Sequence, residues 1–325
     1  MTDRIVRYLT EQETRGLLGW PEVIACISAA YAGAEDPRAA PAKVVARSGG
    51  TWLRALTAIS GTGRSMGAKL IVKGKPRGTE HLIALWDQAS GALMCLLSGK
   101  GITGVRTAAT SAVAIDLVAP RTPLRVAVLG SGHEAATHVS ALAVVRSVAA
   151  LSVYSPTREN RERFARRFGD QLTLPCRAGE TAREAVAGAD IVIAAARSHD
   201  ETPILEGAWL KPGMMVVSIG STVPEQRELD PEVIRRADTI IADVPDEVAD
   251  ETGDMIAARH AGVDFRAKMV ALTDLVQRRV DVKQTADNIV LFKSVGSGLQ
   301  DIAVSEMCAA AAEKAGVGTL LPLGI

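Results

Sequence analysis

The sequence predicts an α/β protein, with a doubly wound parallel sheet in its middle part and an α+β arrangement on an antiparallel sheet in its first part. From Leu124 onward, short and almost wholly apolar runs alternate with segments of helical spacing. This succession is expected of parallel strands that helices cover on both faces. Before Pro120, apolar runs follow one another closely and turn residues separate them, which is typical of antiparallel strands.

The composition indicates a soluble protein of about two domains. The chain has 325 residues, 37 Lys and Arg balance 37 Asp and Glu, and aromatic residues make up 3%. Balanced charge and few aromatic rings argue against nucleic acid or an anionic membrane as partner. The N-terminus lacks the pattern of a signal peptide, and no apolar stretch reaches the ~20 residues of a membrane span. Together with cysteines that suggest no disulfide framework, this predicts a cytoplasmic protein. The four cysteines and five histidines show no metal-binding spacing, so we expect no metal.

The first part is expected to start with two helices. Thr10 and Glu13 have the spacing of a capping box at the start of a short helix, and Pro21 suits the first turn of a second helix. Strands are predicted at KVVAR, TWLRALTAI and MGAKLIV, followed by a hairpin of HLIALWD and ALMCLLSG around residues 87–91. The helix VRTAATSAVAIDLVA closes this part.

The middle part predicts five parallel strands, RVAVLG, ALSVYS, ADIVIAAA, MMVVSIG and DTIIAD. The segments between them include the helical patterns RENRERFARRF and TAREAVAGA. After NIVLFKSVG, a last helix, LQDIAVSEMCAAAAEKAG, is expected to pack against the first part. We therefore predict one domain from residues 1–120 with 300–325, and a second domain from residues 121–299.

The segment VLGSGHEAA joins the first parallel strand to a helix. Gly130 allows the tight turn, Gly132 lets a pyrophosphate approach the backbone, and Ala135 permits close packing of helix and strand. The first amides of the helix then face the phosphates. The turn predicts a Rossmann dinucleotide site that includes Gly130, Ser131, Gly132, His133, Glu134 and Ala135.

The end of the second parallel strand indicates which dinucleotide binds. An acidic residue there favours NAD, whereas this chain has Ser155, Thr157 and Arg158 and no carboxylate before Glu159. Hydroxyls and a guanidinium suit a 2′-phosphate, which arginine binds bidentately. We therefore predict NADP(H) in preference to NAD(H). The predicted cofactor site is completed by Ala195, Ser218, Gly220, Ser294 and Gly296.

Basic residues of the first part are candidates for catalysis. Lys69 is a lone lysine in the apolar segment MGAKLIV, and Arg106 begins a helix of small residues, where its guanidinium is expected to bind a carboxylate. The alternatives are a solvent-facing lysine of an edge strand and an ordinary exposed arginine at a helix end. Lys43 and Arg54 are weaker candidates. The sequence has no G-x-S-x-G motif, which argues against a serine hydrolase.

Five segments, MGAKLI, GKGITGVRTAATSAVAIDLVAPR, VAVLGSGHEAATHVSAL, SIGSTVPEQRELDPEVIRRAD and FKSVGSGLQDIAVSEM, have the order and spacing seen in the ornithine cyclodeaminase and μ-crystallin family. The chain resembles this family over nearly its whole length. The resemblance implies a homodimer, in which a substrate-binding and dimerisation domain that includes the C-terminal helix accompanies the Rossmann domain. It also implies that Lys69 is the active-site lysine, that Arg106 binds the substrate carboxylate, and that Lys43 helps to hold it.

One position departs from the family's pattern. Cyclodeaminases resemble GADGPGKxELD where this chain has GSTVPEQRELD, so Thr222 stands at the position of an aspartate that handles the substrate's amino group. A threonine hydroxyl is no general base near neutral pH. Cyclodeamination needs such a base, whereas hydride transfer to a ready-made imine does not. We therefore predict an NAD(P)H-dependent reductase of α-imino acids, cyclic or formed from a 2-oxo acid and an amine, or the reverse amino-acid dehydrogenation. We expect no acidic side chain in this site that is available to take a proton from the amine.

Three alternatives share these residues. An ornithine or lysine cyclodeaminase releases ammonia without net change of its cofactor. An opine-like synthase joins two metabolites, and a non-catalytic protein binds NADPH and a ligand without oxidising the cofactor. The orientation of the side chains that are candidates for shaping the pocket is not readable from the sequence; these are Trp52, Arg54, Lys73, Lys75 and Trp86.

Overall fold

The computed structural model describes residues 4–74, 78–196 and 202–323. The chain divides into two compact units, Met1–Thr110 with Gly296–Ile325, and Ser111–Val295. Each unit contains one sheet. Lys75, which the sequence analysis named as a candidate for shaping the pocket, lies outside the described residues.

The first unit consists of helices and a mixed sheet. Its helices are α1 (Glu11–Gly16), α2 (Trp20–Ala32), α3 (Gly99–Val118), which continues into the second unit, and the last helix of the chain, α11 (Gly298–Ala315). Its strands are β1 (Arg4–Leu9), β2 (Val44–Ser48), β3 (Thr51–Ile59), β4 (Ser65–Gly74), β5 (Gly78–Asp87), β6 (Leu93–Ser98) and β15 (Thr319–Leu323). Over the described residues, these strands form one sheet in the order β15-β1-β6-β5-β4-β3-β2. Neighbouring strands are antiparallel, except that β1 and β6 are parallel.

Local sequence signals account for most elements of this unit. Thr10 Oγ1 accepts a hydrogen bond from Glu13 N at 3.3 Å, and Thr10 N donates to Glu13 Oε2 at 2.8 Å, which confirms the predicted capping box. Pro21 stands in the first turn of α2, as predicted. Gly91 has a φ of +67° in the turn of the predicted hairpin between β5 and β6, a conformation that favours glycine.

Two strands and one helix start differ from the prediction. The expected arrangement of helices followed by an antiparallel meander is wrong at one edge of the sheet, because β1 precedes α1 and lies between β6 and β15. The two unexpected strands, β1 and β15, pair with segments that are far away in the chain. Local periodicity does not reveal such pairing. The helix predicted to begin near Val105 begins at Gly99 instead, so Arg106 lies in its second turn.

The two faces of this sheet differ in character. Helices α2 and α11 pack together, and α11 also packs on β3, β4 and β5. A Cβ on Gly67 of β4 would lie 2.7 Å from Ile302 Cδ1 of α11, so a glycine permits this close approach. The opposite face, which the alternation of the strands defines, exposes large apolar side chains; they are Val44, Leu53, Ile59, Val72 and Leu82.

The second unit consists of a parallel sheet with helices between its strands. The strands are β7 (Leu124–Leu129), β8 (Val148–Tyr154), β9 (Cys176–Ala178), β10 (Ile191–Ala194), β11 (Met215–Ser218), β12 (Thr239–Ala242), β13 (Met269–Ala271) and β14 (Val290–Lys293). The helices are α4 (His133–Val145), α5 (Arg158–Leu172), α6 (Ala182–Val186), α7 (Pro231–Arg236), α8 (Pro245–Glu251), α9 (Gly253–His260) and α10 (Leu272–Val276). Within the described ranges, the sheet order is β13-β12-β14-β11-β10-β7-β8-β9, and every pair is parallel.

This architecture confirms the predicted fold class. The five predicted parallel strands correspond to β7, β8, β10, β11 and β12, while the short edge strands β9 and β13 were not predicted. Because the strands are parallel, their carboxyl ends lie along one side of the sheet. The loops after β7, β8, β10 and β11 leave the sheet there, and nucleotides bind at this side in such folds. In the part of the chain that the structure describes, no helix is both long and apolar enough to cross a bilayer.

Candidate active site

Lys69 lies in the middle of the first unit's sheet, on the face that α11 covers. It belongs to β4, which pairs with β3 on one side and β5 on the other, and its side chain is 0% exposed. Its neighbours on the same face, Gly67 and Ile71, are also buried. The alternative of a solvent-facing edge-strand lysine is therefore wrong.

An acidic side chain that the sequence analysis missed contacts both predicted cations. Asp301 of α11 is 0% exposed, and its Oδ2 lies 2.6 Å from Lys69 Nζ. Its Oδ1 accepts a hydrogen bond from Arg106 Nε at 2.9 Å. The cluster therefore contains an acidic side chain, both oxygens of which already contact cations. Asp301 is the last residue of the block SGLQD, which was the available sequence signal. Lys69 and Arg106 are distant from it in sequence, and the packing of α11 on β4 brings Asp301 to Lys69.

The guanidinium of Arg106 is fixed on more than one side. Besides Asp301, its Nη1 donates to Gln300 Oε1 at 2.6 Å, and Gln300 Nε2 in turn donates to Tyr31 OH at 2.7 Å. A Cβ on Gly296, whose φ is +80°, would lie 2.3 Å from Nη1, so this position requires glycine. Arg106 is 5% exposed, and the alternative of an ordinary exposed arginine is wrong. Nη2 makes no hydrogen bond within the described residues and stays available for a ligand.

The environment of Lys69 lowers the pKa of its amine to about 7, well below the ordinary lysine value. Burial is the largest cause, since it penalises the charged form, and the positive charge of Arg106 acts in the same direction. The negative charge of Asp301 and its hydrogen bond oppose both effects. A lysine of this pKa exchanges a proton near neutral pH, which an exposed lysine does not.

Two further cations surround this pair. The charge of Arg54 also lowers the pKa of Lys69, and its guanidinium lies 5.3 Å from the centre of the Trp52 ring. Lys43 is 8% exposed and immediately precedes β2, in which Val44 pairs with Ala55. Strand alternation places it on the side of Leu56, which pairs with Lys69. Four cations and the Asp301 carboxylate thus gather on one face, an arrangement that favours an anionic ligand.

In the second unit, the turn between β7 and α4 has the geometry of an anion site. Gly130 has a φ of +123°, and a Cβ there would lie 2.6 Å from Ala195 O, so no other residue fits. Gly132 is the N-cap of α4, makes no side-chain cap and has open space where a Cβ would be. The first amides of α4 are therefore left for an external acceptor. This arrangement fits the pyrophosphate of a dinucleotide, and Ala135 is buried where close packing was predicted.

The predicted ribose residues stand beside this turn. Ser131 Oγ donates to Ser155 Oγ at 2.8 Å, so the glycine turn and the end of β8 are in direct contact. Thr157 is the N-cap of α5. Arg158 follows it with a side chain that is 72% exposed and with its Nε donating to Glu162 Oε1 at 2.7 Å. Both Nη groups of Arg158 therefore remain open to an anion.

A buried ionic cluster holds the loop that follows β11. Glu228 Oε2 accepts hydrogen bonds from Ser218 Oγ at 2.8 Å and from Gly220 N at 2.7 Å, and Oε1 accepts one from Ala196 N at 3.0 Å. Burial raises the pKa of Glu228 to about 7, although the nearby Lys293 charge opposes this shift. The cluster fixes the end of β11, where the predicted cofactor residue Ser218 lies, and the loops after β10 and β11, which include the predicted cofactor residues Ala195 and Gly220.

Lys293 and Asp254 complete this cluster, which the sequence analysis missed. Lys293 Nζ lies 2.9 Å from Asp254 Oδ2 and donates to Ser218 Oγ at 2.9 Å, and both charged side chains are fully buried. The predicted cofactor residue Ser294 is buried next to this cluster in the chain, and its Oγ donates to Asp243 Oδ2 at 2.6 Å. Of this cluster, Glu228 lies in the segment VPEQRELD and Lys293 in FKSVG, and these two segments were the available sequence signal.

Thr222 contacts an amide rather than a carboxylate. Its backbone N and its Oγ1 both donate to Gln226 Oε1, at 3.1 and 3.2 Å. This threonine is therefore held by the loop after β11 itself. Across the described residues, no group of three or more His, Cys, Asp or Glu side chains is arranged to hold a metal ion.

Comparisons with known proteins agree with these features. A model of the ornithine cyclodeaminase/mu-crystallin family matches residues 38–315. Mouse ketimine reductase mu-crystallin is 30% identical over 225 residues, which cover 69% of this chain and 67% of the mouse protein. The structure of Thermococcus litoralis Δ(1)-pyrroline-2-carboxylate reductase in complex with NADH and L-proline superposes with a TM-score of 0.89 at 25% identity, covering 97% of this chain and 99% of that one. A probable ornithine cyclodeaminase from Bordetella pertussis Tohama I gives a TM-score of 0.85 at 29% identity, covering 96% and 98%.

These relatives confirm the predicted enzyme class, an NAD(P)-dependent oxidoreductase acting on C=N or CH–NH groups. The family model spans most of the chain, from before β2 to the end of α11, and so includes the cation cluster of the first unit and the glycine turn of the second. The chain belongs to the ornithine cyclodeaminase/mu-crystallin family.

Proposed function

We propose that this protein is an NADPH-dependent reductase of α-imino acids, which also catalyses the reverse dehydrogenation of the amino acid. The observation that carries the proposal is the buried Lys69–Asp301–Arg106 cluster, in which a lysine with a pKa of about 7 stands beside a fixed guanidinium. A substrate with a carboxylate next to a C=N bond needs an anion-binding group and a proton donor. The cluster offers both within a few ångströms.

Each residue of the cluster has one task in this mechanism. Arg106 binds the substrate carboxylate through Nη2, assisted by Lys43, while Asp301 and Gln300 hold the rest of the guanidinium in place. When bound, a reduced nicotinamide would supply the hydride for the imine carbon. Lys69 gives its proton to the imine nitrogen, so that C=N becomes CH–NH with one hydride and one proton added. Preorganised charges of this kind stabilise a transition state without having to reorient.

The glycine turn and the end of β8 support NADP(H) as the cofactor. The free amides of α4 suit the pyrophosphate, and Ser155, Thr157 and Arg158 offer two hydroxyls and a guanidinium to a 2′-phosphate. In Arg158→Ala, we expect the Kd for NADPH to rise about ten-fold, as for the loss of one charge-assisted bond, while the Kd for NADH stays within about two-fold. Fluorescence titration measures both constants. Equal losses for both cofactors would contradict this assignment.

The function itself is tested by following NADPH oxidation with Δ1-pyrroline-2-carboxylate, Δ1-piperideine-2-carboxylate, and 2-oxo acids mixed with amines. We expect turnover with at least one imine, and a loss of about 100-fold or more in Lys69→Ala and Arg106→Ala. Arg121→Ala, which changes an exposed arginine of the second unit, is the control and should keep wild-type turnover. Saturable binding of an imine without oxidation of NADPH would instead identify a ligand-binding protein, and products that join two metabolites would identify an opine-like synthase.

A cyclodeaminase is the second candidate, because Asp301 provides a buried carboxylate that the sequence analysis did not foresee. The likeness to the probable ornithine cyclodeaminase of Bordetella pertussis points in the same direction. Against it stand the contacts of both Asp301 oxygens with Lys69 and Arg106, and the amide contact of Thr222. Ammonia release from ornithine or lysine without net change of the cofactor would decide for this candidate.

The apolar face of the first unit's sheet supports a homodimer. Val44, Leu53, Val72 and Leu82 are all more than 40% exposed there, and an apolar patch of this kind marks a protein interface. A second copy of the chain would cover this face with the same face of its own sheet, as a two-fold axis requires. We expect Val72→Asp to be a monomer in light-scattering measurements, whereas the wild type has twice that mass.

A further inference from the structure

A histidine on the same face of the first unit's sheet has no role in the mechanism above. His81 lies in β5, opposite Ile71 of β4, and Ile71 shares its face with Lys69. The ring is half-buried, and its Nδ1 lies 3.3 Å from Thr103 Oγ1. Lys69 Nζ contacts that same hydroxyl at 3.4 Å. One threonine hydroxyl therefore joins the histidine to the predicted proton donor.

The hydrogen bonds of Thr103 determine which ring nitrogen of His81 carries the proton. Thr103 Oγ1 donates its single proton to Gly99 O at 2.7 Å, so it is only an acceptor toward its other two neighbours. Lys69 Nζ is one donor, and His81 Nδ1 must therefore be the other. In the neutral ring, the proton sits on Nδ1, and Nε2 is left with a free lone pair. Within the described residues, Nε2 makes no hydrogen bond.

The surroundings keep this ring neutral. Burial, followed by the positive charge of Lys69, lowers the pKa of His81 to about 4; Arg106 and Lys100 act in the same direction, and Asp301 opposes them. At neutral pH the ring therefore offers an acceptor in a region where the other side chains are mostly cations. A lone pair in such a place suits a ligand that carries an N–H donor close to its carboxylate.

We propose that His81 is a substrate-binding residue whose Nε2 accepts a hydrogen bond from the N–H group next to the substrate's carboxylate. The inference rests on the proposed function, since the amino acid that this function forms or oxidises carries such an N–H group. The inference extends the proposed function by assigning a residue that distinguishes α-amino acids and protonated α-imino acids from carboxylates that lack the N–H group. Arg106 binds the carboxylate of both kinds of ligand, and His81 adds a contact to one kind alone.

The test compares two planar ligands of nearly the same shape. Pyrrole-2-carboxylate has an N–H donor beside its carboxylate, whereas furan-2-carboxylate has a ring oxygen at that position. Calorimetry on the cofactor-saturated protein should show that the wild type binds pyrrole-2-carboxylate about ten-fold more tightly, the size expected for one net hydrogen bond. This measurement does not depend on turnover.

Two substitutions separate the acceptor from the contact with Thr103. The amide of His81→Asn reaches the position of Nδ1 and keeps the Thr103 contact, but it has no group at the position of Nε2. The amide oxygen of His81→Gln reaches the position of Nε2. We expect the preference for pyrrole-2-carboxylate to fall to about two-fold or less in H81N and to return to within about three-fold of wild type in H81Q. The control His260→Asn, exposed at the end of α9, should leave the preference unchanged.

The outcomes divide clearly. A wild type that binds both ligands equally, or an H81N variant that weakens both by the same factor, would overturn the proposal, because His81 would then act only through the shape of the site. Retention of the preference in H81N with its loss in H81Q would likewise overturn it and assign the role to the Thr103 contact. If the preference behaves as expected but no imine is reduced, the proposed function fails and the role of His81 as an acceptor for N–H ligands stands.

Discussion

The buried lysine should leave a measurable mark on the stability of the protein. Lys69 is fully buried, and its pKa of about 7 in the folded protein compares with about 10.4 in an unfolded chain. Between these two values, the unfolded chain holds a proton on Lys69 that the folded protein has lost, so the free energy of unfolding rises with pH. The contribution of this group amounts to about 1.4 kcal/mol per pH unit and to about 5 kcal/mol over the whole window.

The substitution Lys69→Met removes the titrating amine and keeps an unbranched chain of similar length. Urea unfolding of both proteins from about pH 7.5 to about pH 9.5 should show that the wild type gains about 2–3 kcal/mol relative to the variant over this range. Other groups that titrate there, including the buried cysteines, are common to both proteins, so they cancel in the difference. Lys73→Met, at an exposed position of the same strand, is the matched control and should follow the wild-type pH dependence.

The same variant links stability to chemistry. In K69M we expect imine reduction to fall about 100-fold or more, since the proton donor is gone, while NADPH still binds to the second unit. Parallel pH dependences of unfolding in wild type and K69M would refute the argument, because Lys69 would then be protonated to the same extent in the folded and unfolded states. A K69M protein with full imine reduction would refute the assignment of Lys69 as proton donor.

Three further substitutions test the second unit. Gly130→Ala places a methyl group 2.6 Å from Ala195 O at a φ of +123°, and we expect NADPH binding to be lost and the free energy of unfolding to fall by about 1–3 kcal/mol. Lys293→Met leaves Asp254 as a buried charge without its partner, so urea unfolding should show a loss of about 3–5 kcal/mol, and a loss below about 1 kcal/mol would contradict the ion pair. Since the pKa of Glu228 is raised to about 7, the folded protein holds a proton that the unfolded chain loses between about pH 4.5 and about pH 7. Stability contributed by this group is therefore lost as the pH rises through this window, and in Glu228→Gln the loss should be absent by the same unfolding measurement.

The sequence by itself determined the features that depend on neighbouring residues. Alternation and apolar runs fixed most strands, because a buried face demands apolar side chains at a period that the strand dictates. The capping box of Thr10 and Glu13 fixed the start of a helix. Gly130 and Gly132 marked the turn at which an anion meets free amides, since those backbone conformations exclude other residues. Lys69 and Arg106 were identified because a single charged side chain in a segment of otherwise apolar or small residues indicates a specific role.

Tertiary structure alone decided what those charges contact. Asp301 reaches Lys69 and Arg106 only because α11 returns from the end of the chain to pack on β4, and a helix pattern does not specify which sheet it will cover. Strands β1 and β15 form because the two ends of the chain pair with each other, and His81 meets Thr103 because β5 and α3 approach each other. Contacts between segments far apart in the chain depend on packing, whose free energy no local pattern encodes. The same packing gives the amine of Lys69 its near-neutral pKa, since burial and the charge of Arg106 act on it only in the folded protein.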